Sequence, residues 1–346
     1  MNIKTLILSS AAALATVSGA HAADAIVAAE PEPMEYVRVC DAFGTGFFYI
    51  PGTETCLKIG GYVRFQTDVG RSISGSSDWD SFTRAQLQFT AKSDTELGAL
   101  TSVIALRGQA DNGSTTGDRP EFVDAAYIEL AGFRVGFQYN WWDDDMSGET
   151  DTLASGPTNM NSVRYQYEAG NFAAGISVDE LENYGLFNAA GARIDGETDN
   201  NVGISGQISG KFGAVSAYLL GGYDTDQEDG AIRGIVYADI GPGTLGIAGA
   251  YATGFNYYYN ESEWTVAAEY ALKINDKWSV TPAAQYFSKV DIDADGDFGG
   301  DNAWVAGLTV DYKITENLAA KVTANYNKVE GGDDQTTGFV RLQRSF

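Results

Sequence analysis

The chain has 346 residues, of which 47 are Asp or Glu and 22 are Lys or Arg, so its formal net charge is -25. This acidity excludes nucleic acid as a partner, because phosphate binding requires clustered basic residues. After the N-terminal segment, no run approaches the roughly 18 to 20 consecutive apolar residues that a membrane-spanning helix needs, which excludes a helical membrane protein.

Residues 1–22 have the composition of a signal peptide. Lys4 gives a positive start, residues 6–17 are apolar, and residues 20–22 form a small-residue cleavage site before Ala23. We therefore predict an exported protein; a buried N-terminal helix is the alternative. His21 is the single histidine of the sequence, so the mature chain lacks the commonest general base and metal ligand. We predict no catalytic residue, no cofactor and no metal site.

The segment before the first predicted strand, residues 23–56, contains both cysteines of the chain, Cys40 and Cys56. In an exported protein, an isolated pair this close is most simply a disulfide. It would close a loop of about 15 residues and contribute roughly 3 kcal/mol on the chain-entropy model. Two free buried thiols remain the alternative.

From residue 57 onward, apolar and polar residues alternate, which is the period of a strand with two different faces. In the first predicted strand, one face carries Leu57, Ile59, Val63, Phe65 and Val69, and the other carries Lys58, Tyr62, Arg64, Gln66 and Asp68. Residues 84–92 repeat the pattern. One face therefore requires lipid or a core, and the other requires water.

About sixteen such runs continue to Phe346, joined by connectors that are short and long in turn. Bacterial outer-membrane barrels combine an even strand number with short periplasmic turns and longer external loops. A soluble sandwich or β-helix does not require this succession. The sequence predicts an all-β fold, a transmembrane antiparallel β-barrel over residues 57–346, with residues 23–56 on the periplasmic side.

Aromatic residues near the predicted strand ends are expected to form girdles at the two membrane interfaces. The set comprises Trp79, Trp141, Trp142, Trp264, Trp278, Trp304, Tyr139, Tyr223, Tyr251, Tyr286 and Tyr326. The run that contains Phe255, Tyr257, Tyr258 and Tyr259 is expected instead to pack loops together at the external rim.

Four parts of the chain are distinctive: YVRVCDAFG at residues 36–44, FYIPGTETCL at 48–57, VDAAYI at 123–128 and the terminal Phe346. In these parts the sequence resembles the alphaproteobacterial general porins, and the resemblance covers essentially the whole mature chain. It implies a barrel of sixteen strands in the cell outer membrane, a homotrimer, and passive diffusion of small hydrophilic solutes. It also implies that Phe346 is read by the outer-membrane insertion machinery. Arg344 departs from the family pattern, because its lipid-facing position often holds an apolar or aromatic residue.

The connector over residues 141–161 occupies the position of the family's constriction loop, and loops longer than about 12 to 15 residues are usually functional or disordered. We predict that it folds into the barrel and supplies the acidic side of a constriction. The candidate residues are Asp143, Asp144, Asp145, Glu149 and Asp151. A solvated surface loop is the alternative.

Five arginines fall on the polar faces of their strands: Arg64, Arg84, Arg107, Arg134 and Arg164. A charge on the lipid face would cost about 2 to 4 kcal/mol at mid-bilayer, so these arginines should face the lumen. There they would form the basic side of the constriction or, alternatively, salt bridges within the wall. Opposed charges across a pore orient polar solutes. For the general diffusion porin that the resemblance implies, these charges and the overall acidity predict a weak cation preference.

Three other functions fit the sequence less well. An outer-membrane hydrolase would need a histidine to activate its nucleophile. An adhesin or structural barrel would have a plugged lumen, whereas about sixteen strands leave an aqueous channel. A substrate-specific channel is the closest alternative, and it would line the lumen with aromatic residues; those inward by parity are Tyr62, Tyr127, Tyr218 and Tyr237.

Residues 291–297 resemble the start of a calcium-binding loop, but Asn302 stands where an EF-hand needs a bidentate glutamate, so no metal site is predicted there. A looser hypothesis concerns the acidic external loops. Their carboxylates, here and at Asp224, Asp226, Glu228 and Asp229, would share divalent cations with lipopolysaccharide in the outer-membrane lipid. Simple solvation of exposed loops is the alternative.

Overall fold

The computed structural model describes residues 38–70, 78–111, 119–182 and 200–346, together with the backbone of Leu186–Phe187 and Arg193–Asp195. The predicted signal peptide and the N-terminal part of the following segment lie outside the described residues. Val39–Phe346 form one compact unit. Helical structure in the described part of the chain is limited to two 3-10 turns, Asp41–Phe43 and Trp141–Asp143. No helix among these residues is long and apolar enough to cross a membrane.

Sixteen antiparallel strands form the wall, and we number them β1 to β16. Their bounds are β1 Cys56–Gly70, β2 Trp79–Thr95, β3 Gly98–Asp111, β4 Glu121–Leu130, β5 Phe133–Tyr139, β6 Asn159–Ala169, β7 Phe172–Leu181, β8 Asn201–Phe212, β9 Val215–Asp224, β10 Asp229–Ile240, β11 Gly243–Ala252, β12 Trp264–Lys273, β13 Trp278–Ser288, β14 Ala303–Thr315, β15 Leu318–Val329 and β16 Asp334–Ser345. The predicted all-β barrel is confirmed.

The sheet closes on itself because β1 pairs with both β2 and β16. In the closing register Tyr62 faces Ser345 and Val69 faces Gly338, so the last strand lies beside the first. Closure leaves no wall strand with an unpaired edge, which a structure surrounded by lipid requires.

The two faces of the wall differ in the way that the alternation predicts. Apolar residues such as Val63, Phe65 and Ile176 are 49%, 51% and 57% exposed on the outside, while their chain neighbours Arg64 and Gln66 point inward and bond to side chains of β16. A water-soluble protein rarely exposes a continuous apolar band of this kind. The outer face is therefore suited to lipid.

The connectors alternate between the two ends of the barrel. Short turns join β2 to β3, β4 to β5 and each later pair in the same phase, and the longer loops lie at the other end. Two connectors predicted to be long are reduced to residues 225–228 and 330–333. Their flanking polar residues continue the ladder, with Asp224 facing Asp229 and Lys328 facing Asp334. Polar sequence indicated loops incorrectly here, because polar residues at the end of a strand can still continue its hydrogen-bonded ladder.

Aromatic pairs lie near the ends of neighbouring strands. Trp278 stacks on Tyr312 with ring centroids 4.2 Å apart at the turn end, and Trp304 meets Tyr326 at 5.4 Å near the loop end. The girdle prediction is wrong for Trp141 and Trp142. These two side chains are 6% and 1% exposed and lie inside a cluster of buried residues.

A disulfide joins Cys40 to Cys56, as predicted. It closes a small hairpin in which Val39 bridges to Phe48, and Phe48 and Tyr49 pair with Leu57 and Cys56. The backbone hydrogen bonds between β1 and the C-terminal end of the chain stop at Gly61, which bonds to Phe346. Cys56 and Leu57 lie before that point in β1, and the hairpin pairs with the edge that the C-terminal end leaves free there. The hairpin therefore continues the wall beyond the C-terminus.

Candidate pore constriction

The loop over residues 140–158, between β5 and β6, crosses the inside of the barrel. The backbone N–H groups of Ser147 and Gly148 donate to the carboxylate of Glu269 in β12, at 2.9 and 2.8 Å. Further along, Asn325 in β15 donates to the carbonyl oxygen of Glu149 at 2.8 Å. Because the loop leaves β5 and bonds to β12 and β15, it spans the lumen. The loop therefore narrows the channel.

Arg233 in β10 fixes the two arms of this loop to each other. Its guanidinium donates to the carbonyl oxygens of Trp141, Trp142 and Leu153 at 2.8, 3.0 and 3.0 Å, and its side chain is 2% exposed. Buried carbonyl groups need partners, since an unsatisfied one costs about 1 to 3 kcal/mol. Trp141 in turn lies over Gly175 of β7, where an added Cβ would be 2.6 Å from the indole ring.

Three of the five candidate carboxylates stay open to the lumen. Asp143, Asp144 and Asp145 are exposed, and with Arg233 and Tyr237 they line a cavity of about 390 Å³ between the loop and the wall. One oxygen of Asp143 accepts a hydrogen bond from the Thr158 hydroxyl at 2.5 Å. Three consecutive residues of the loop thus present carboxylates to this cavity.

The other two candidate carboxylates have structural partners. Glu149 lies 2.8 Å from Lys321 Nζ and 3.2 Å from Arg341 Nη1. Asp151 is half-buried and accepts a long hydrogen bond of 3.4 Å from the backbone N–H of Met146. The structure therefore places Glu149 in a wall contact, and Asp151 inside the fold of the loop.

Enclosure by the wall changes the acidity of the loop. Burial raises the pKa of Asp145 to about 7, with a further increase from the charge of Asp151 and an opposing effect of Arg233. Burial also raises the pKa of Asp151 to about 6 and the pKa of Asp144 above its ordinary value. Asp144 and Asp145 are still in contact with water. Their pKa values rise because the loop and the wall enclose them on several sides, and not because water is absent.

Arg64 and Arg84 are directly opposite each other on β1 and β2. Arg64 donates to the side-chain oxygen of Gln343 at 2.8 Å, and Arg84 donates to that of Gln109 at 2.8 Å. Both hydrogen-bond acceptors are neutral, and neither arginine forms an ion pair with a carboxylate among the residues that the structure describes. With Arg341 on β16 they form a basic strip on three neighbouring strands.

The remaining three predicted arginines make contacts that stabilise the wall. Arg107 forms an ion pair with Asp124 at 2.8 Å, and Arg134 forms one with Glu129 at 2.6 Å. Arg164, which is 6% exposed, donates to the carbonyl oxygen of Tyr139 and stacks 4.1 Å from the Trp141 ring centroid. For these arginines the geometry favours the structural alternative.

A second loop, residues 253–263, packs against the first. Tyr258, which is 1% exposed, donates its hydroxyl hydrogen to Asp179 in β7 at 2.9 Å and accepts at its carbonyl oxygen from Ser155 N–H at 3.2 Å. Burial raises the pKa of Tyr257 to about 12. The prediction that this aromatic run packs loops together is confirmed, and the packing lies within the loop-side mouth.

Sequence reasoning missed four charged residues of the wall that hold the loop: Arg233, Glu269, Lys321 and Arg341. Their side chains contact the loop from inside the wall, whereas Ile232, Val322 and Val340, chain neighbours of Arg233, Lys321 and Arg341, are exposed on the outer face. Strand parity therefore placed them inward. Nothing in the sequence indicated which part of a distant loop each one would meet.

The closed barrel, its apolar outer face and its charged, loop-narrowed lumen define a membrane channel of the porin class. A family profile described as "Porin subfamily" matches residues 24–341. The chain belongs to this family and is a β-barrel channel protein of the outer membrane.

Known proteins support this assignment. The chain is 52% identical to "Outer membrane protein IIIA" of Rhizobium leguminosarum bv. viciae, over 98% of this chain and 93% of that protein. It is 33% identical to "Porin Omp2b" of Brucella suis biovar 1 over the full length of both. Among solved structures, OmpT of Vibrio cholerae in its trimer form matches with a TM-score of 0.62 at 13% identity, over 85% of this chain and all of that one. The last similarity concerns the fold alone.

Proposed function

We propose that the channel is a general diffusion porin, through which small hydrophilic solutes and ions cross the outer membrane passively with a weak preference for cations. The observation that carries this proposal is that, among the described residues, some charged side chains at the constriction form ion pairs, whereas others face the lumen without one. Asp143, Asp144 and Asp145 face the lumen on the loop, while Arg64 and Arg84 face it on the wall. Such opposed charges favour polar solutes over apolar ones, whose hydration they disrupt.

The size of the preference is limited by water and salt. Two unit charges about 10 Å apart in water-like surroundings interact by about 0.4 kcal/mol, and physiological salt screens this over about 8 Å. One additional negative charge at the constriction therefore changes ion permeability by about twofold. A pore of this kind biases permeation without selecting a single solute.

Solute flux into liposomes tests the general-diffusion proposal. Swelling rates should decrease steadily with the size of uncharged sugars, and they should rise in proportion to sugar concentration. Flux that saturates for one solute would contradict the proposal and favour a substrate-specific channel. Protein-free liposomes and heat-denatured protein are the controls.

A substrate-specific channel is the second candidate because two inward tyrosines meet in the cavity beside the acidic loop. The rings of Tyr218 and Tyr237 are 6.2 Å apart, edge to face, and Tyr237 donates its hydroxyl hydrogen to the carbonyl oxygen of Asp145 at 3.2 Å. A Tyr237→Phe variant with altered saturation for one solute would favour this candidate.

We also propose the wider setting that the sequence indicates. The chain would be exported with removal of residues 1–22, assemble as a homotrimer like OmpT, and be inserted by machinery that reads Phe346. Its external carboxylates would share divalent cations with lipopolysaccharide. Unheated electrophoresis with and without a chelator tests the assembly, and truncation of Phe346 tests the insertion signal.

A further inference from the structure

A second charged cavity lies at the turn end of the lumen, away from the constriction loop. It has a volume of about 350 Å³, and its lining includes Phe47, Lys58, Gln88, Thr90 and Lys92. We propose that this cavity binds a small oxyanion with two negative charges, of which inorganic phosphate is the simplest, between Lys58 and Lys92. The site lies in series with the acidic loop and goes beyond the diffusion function proposed above.

The strand register brings the two lysines together on the inner face. Lys58 is opposite Thr90 in the β1–β2 ladder, and Lys92 is opposite Cys56, so the lysines are diagonal neighbours. The Nζ atoms of both lie 5.9 Å from the centroid of the Phe47 ring. They are therefore no further apart than twice that distance.

Both lysines lack an acidic partner in the part of the chain that the structure describes. Four other lysines, Lys273, Lys289, Lys321 and Lys328, each form an ion pair with a carboxylate, whereas Lys58 and Lys92, like Lys211, Lys277 and Lys313, form none among the described residues. In a chain with 47 acidic and 22 basic residues, two adjacent uncompensated ammonium groups are unexpected. Their mutual repulsion would be relieved by an anion bound between them.

The rest of the cavity supplies hydrogen-bonding groups and a fixed floor. The Thr90 hydroxyl and the Gln88 amide are neighbours, 3.4 Å apart, on the same wall, and both can donate to an oxyanion. Phe47 is 7% exposed and packs edge to face on Phe43 within the hairpin that the Cys40–Cys56 disulfide closes. The disulfide thus holds an aromatic floor beneath the two ammonium groups.

The geometry favours a doubly charged oxyanion over chloride. Two ammonium groups with three donors each, a hydroxyl and an amide can all be satisfied by the four oxygens of phosphate. A halide ion presents a single accepting atom, whereas the oxygens of phosphate point in four directions and can accept from donors on both strands. Arg64 and Arg84 are already bonded to Gln343 and Gln109, so the lysine pair is the better anion site.

The test combines calorimetry of the folded, full-length protein in detergent with current recordings in planar bilayers. Inorganic phosphate replaces chloride at constant ionic strength, at roughly 0.05 M salt, where the Debye length exceeds about 10 Å. We expect heat of binding, and a saturable reduction of conductance that is stronger for phosphate added from the turn side. Lys58→Gln and Lys92→Gln should each weaken apparent affinity about two- to fivefold.

Two further variants make the result decisive. Lys277→Gln removes the same charge from an exposed turn at the same end of the barrel and should leave phosphate affinity unchanged. Lys92→Arg keeps the charge and should restore most of the affinity, which separates binding from a folding defect. Equal affinity in the Lys58→Gln/Lys92→Gln double variant and the unmodified protein would overturn the proposal, as would the absence of saturable binding. If the protein carried no current in chloride solution, that result would contradict the proposed channel function and not the phosphate site. Calorimetry still measures phosphate binding in that case, because it does not depend on current.

Discussion

The carboxylate of Glu149 lies 3.2 Å from the guanidinium of Arg341, which joins the constriction loop to the last strand of the barrel. The side chains are 26% and 16% exposed, so the pair is partly shielded from water. Arg233 holds the two arms of the loop at the other side of the lumen. The loop is therefore anchored near its ends and at its far point.

Removal of the Glu149 charge should weaken the contact of the constriction loop with Lys321 and Arg341 on the wall. Glu149→Gln loses the ion pairs with Lys321 and Arg341, which for partly exposed groups contribute about 1 kcal/mol. We expect more frequent conductance substates and greater open-channel noise in single-channel recordings. Glu316→Gln, on an exposed turn, is the matched control, and equal noise in both variants would argue against the anchor.

Replacement of Arg233 should release the arms of the loop. Arg233→Met leaves three carbonyl groups without their donor, at about 1 to 3 kcal/mol for each that stays buried. Movement of the loop toward water relieves this cost, so single-channel conductance should rise and the folded barrel should melt earlier on heated gels. Arg344→Met, at an exposed position of β16, is the control. Unchanged conductance in Arg233→Met would show that the loop stays in place without it.

The two sides of the constriction should shift ion selectivity in opposite directions. Arg64→Gln and Arg84→Gln remove positive charge and should each increase the cation-to-anion permeability ratio by about twofold, on the estimate of about 0.4 kcal/mol per charge at 10 Å. Asp143→Asn should lower the ratio by a similar factor. Reversal potentials in a salt gradient measure both, and shifts of the same sign would contradict the opposed arrangement.

Cation preference should fall on acidification. Because the pKa of Asp145 is raised to about 7 and that of Asp151 to about 6, both take up protons as the pH is lowered from about 8 to 5. The docked loop binds these protons more tightly than a loop in water would. Its docking is most favourable below the ordinary carboxyl pKa and weakens as the pH rises through 6 to 7. Reversal potentials across this range should change in the native protein and change less in Asp145→Asn.

Reduction of the disulfide should lower the stability of the rim. Cys40 and Cys56 are separated by 16 positions, and a closed loop of this length contributes about 3 kcal/mol on the chain-entropy model. The Cys40→Ser/Cys56→Ser double variant should unfold at a lower temperature, as measured by electrophoresis of samples that have been heated to increasing temperatures. A reductant should have the same effect on the native protein and none on the variant. Equal melting temperatures for all four samples would contradict a stabilising role.

Strand parity predicted the barrel and the inward side of the five candidate arginines, because a period of two is written locally in the sequence. It did not distinguish Arg84, whose partner Gln109 is neutral, from Arg107, whose partner Asp124 is charged. That difference depends on which residues of neighbouring strands come into register. Trp141 and Trp142 were misassigned for a similar reason: a tryptophan at a strand end has the same sequence context whether the following loop folds outward or into the lumen.

The ion selectivity of the purified protein is the most direct test of the proposal that it is a weakly cation-selective diffusion channel. The reversal potential is measured across a planar bilayer with a salt gradient at neutral pH. We expect discrete conductance steps and a small reversal potential of the sign that cation preference gives. A clear anion preference, or no conductance steps from folded protein, would contradict the proposal.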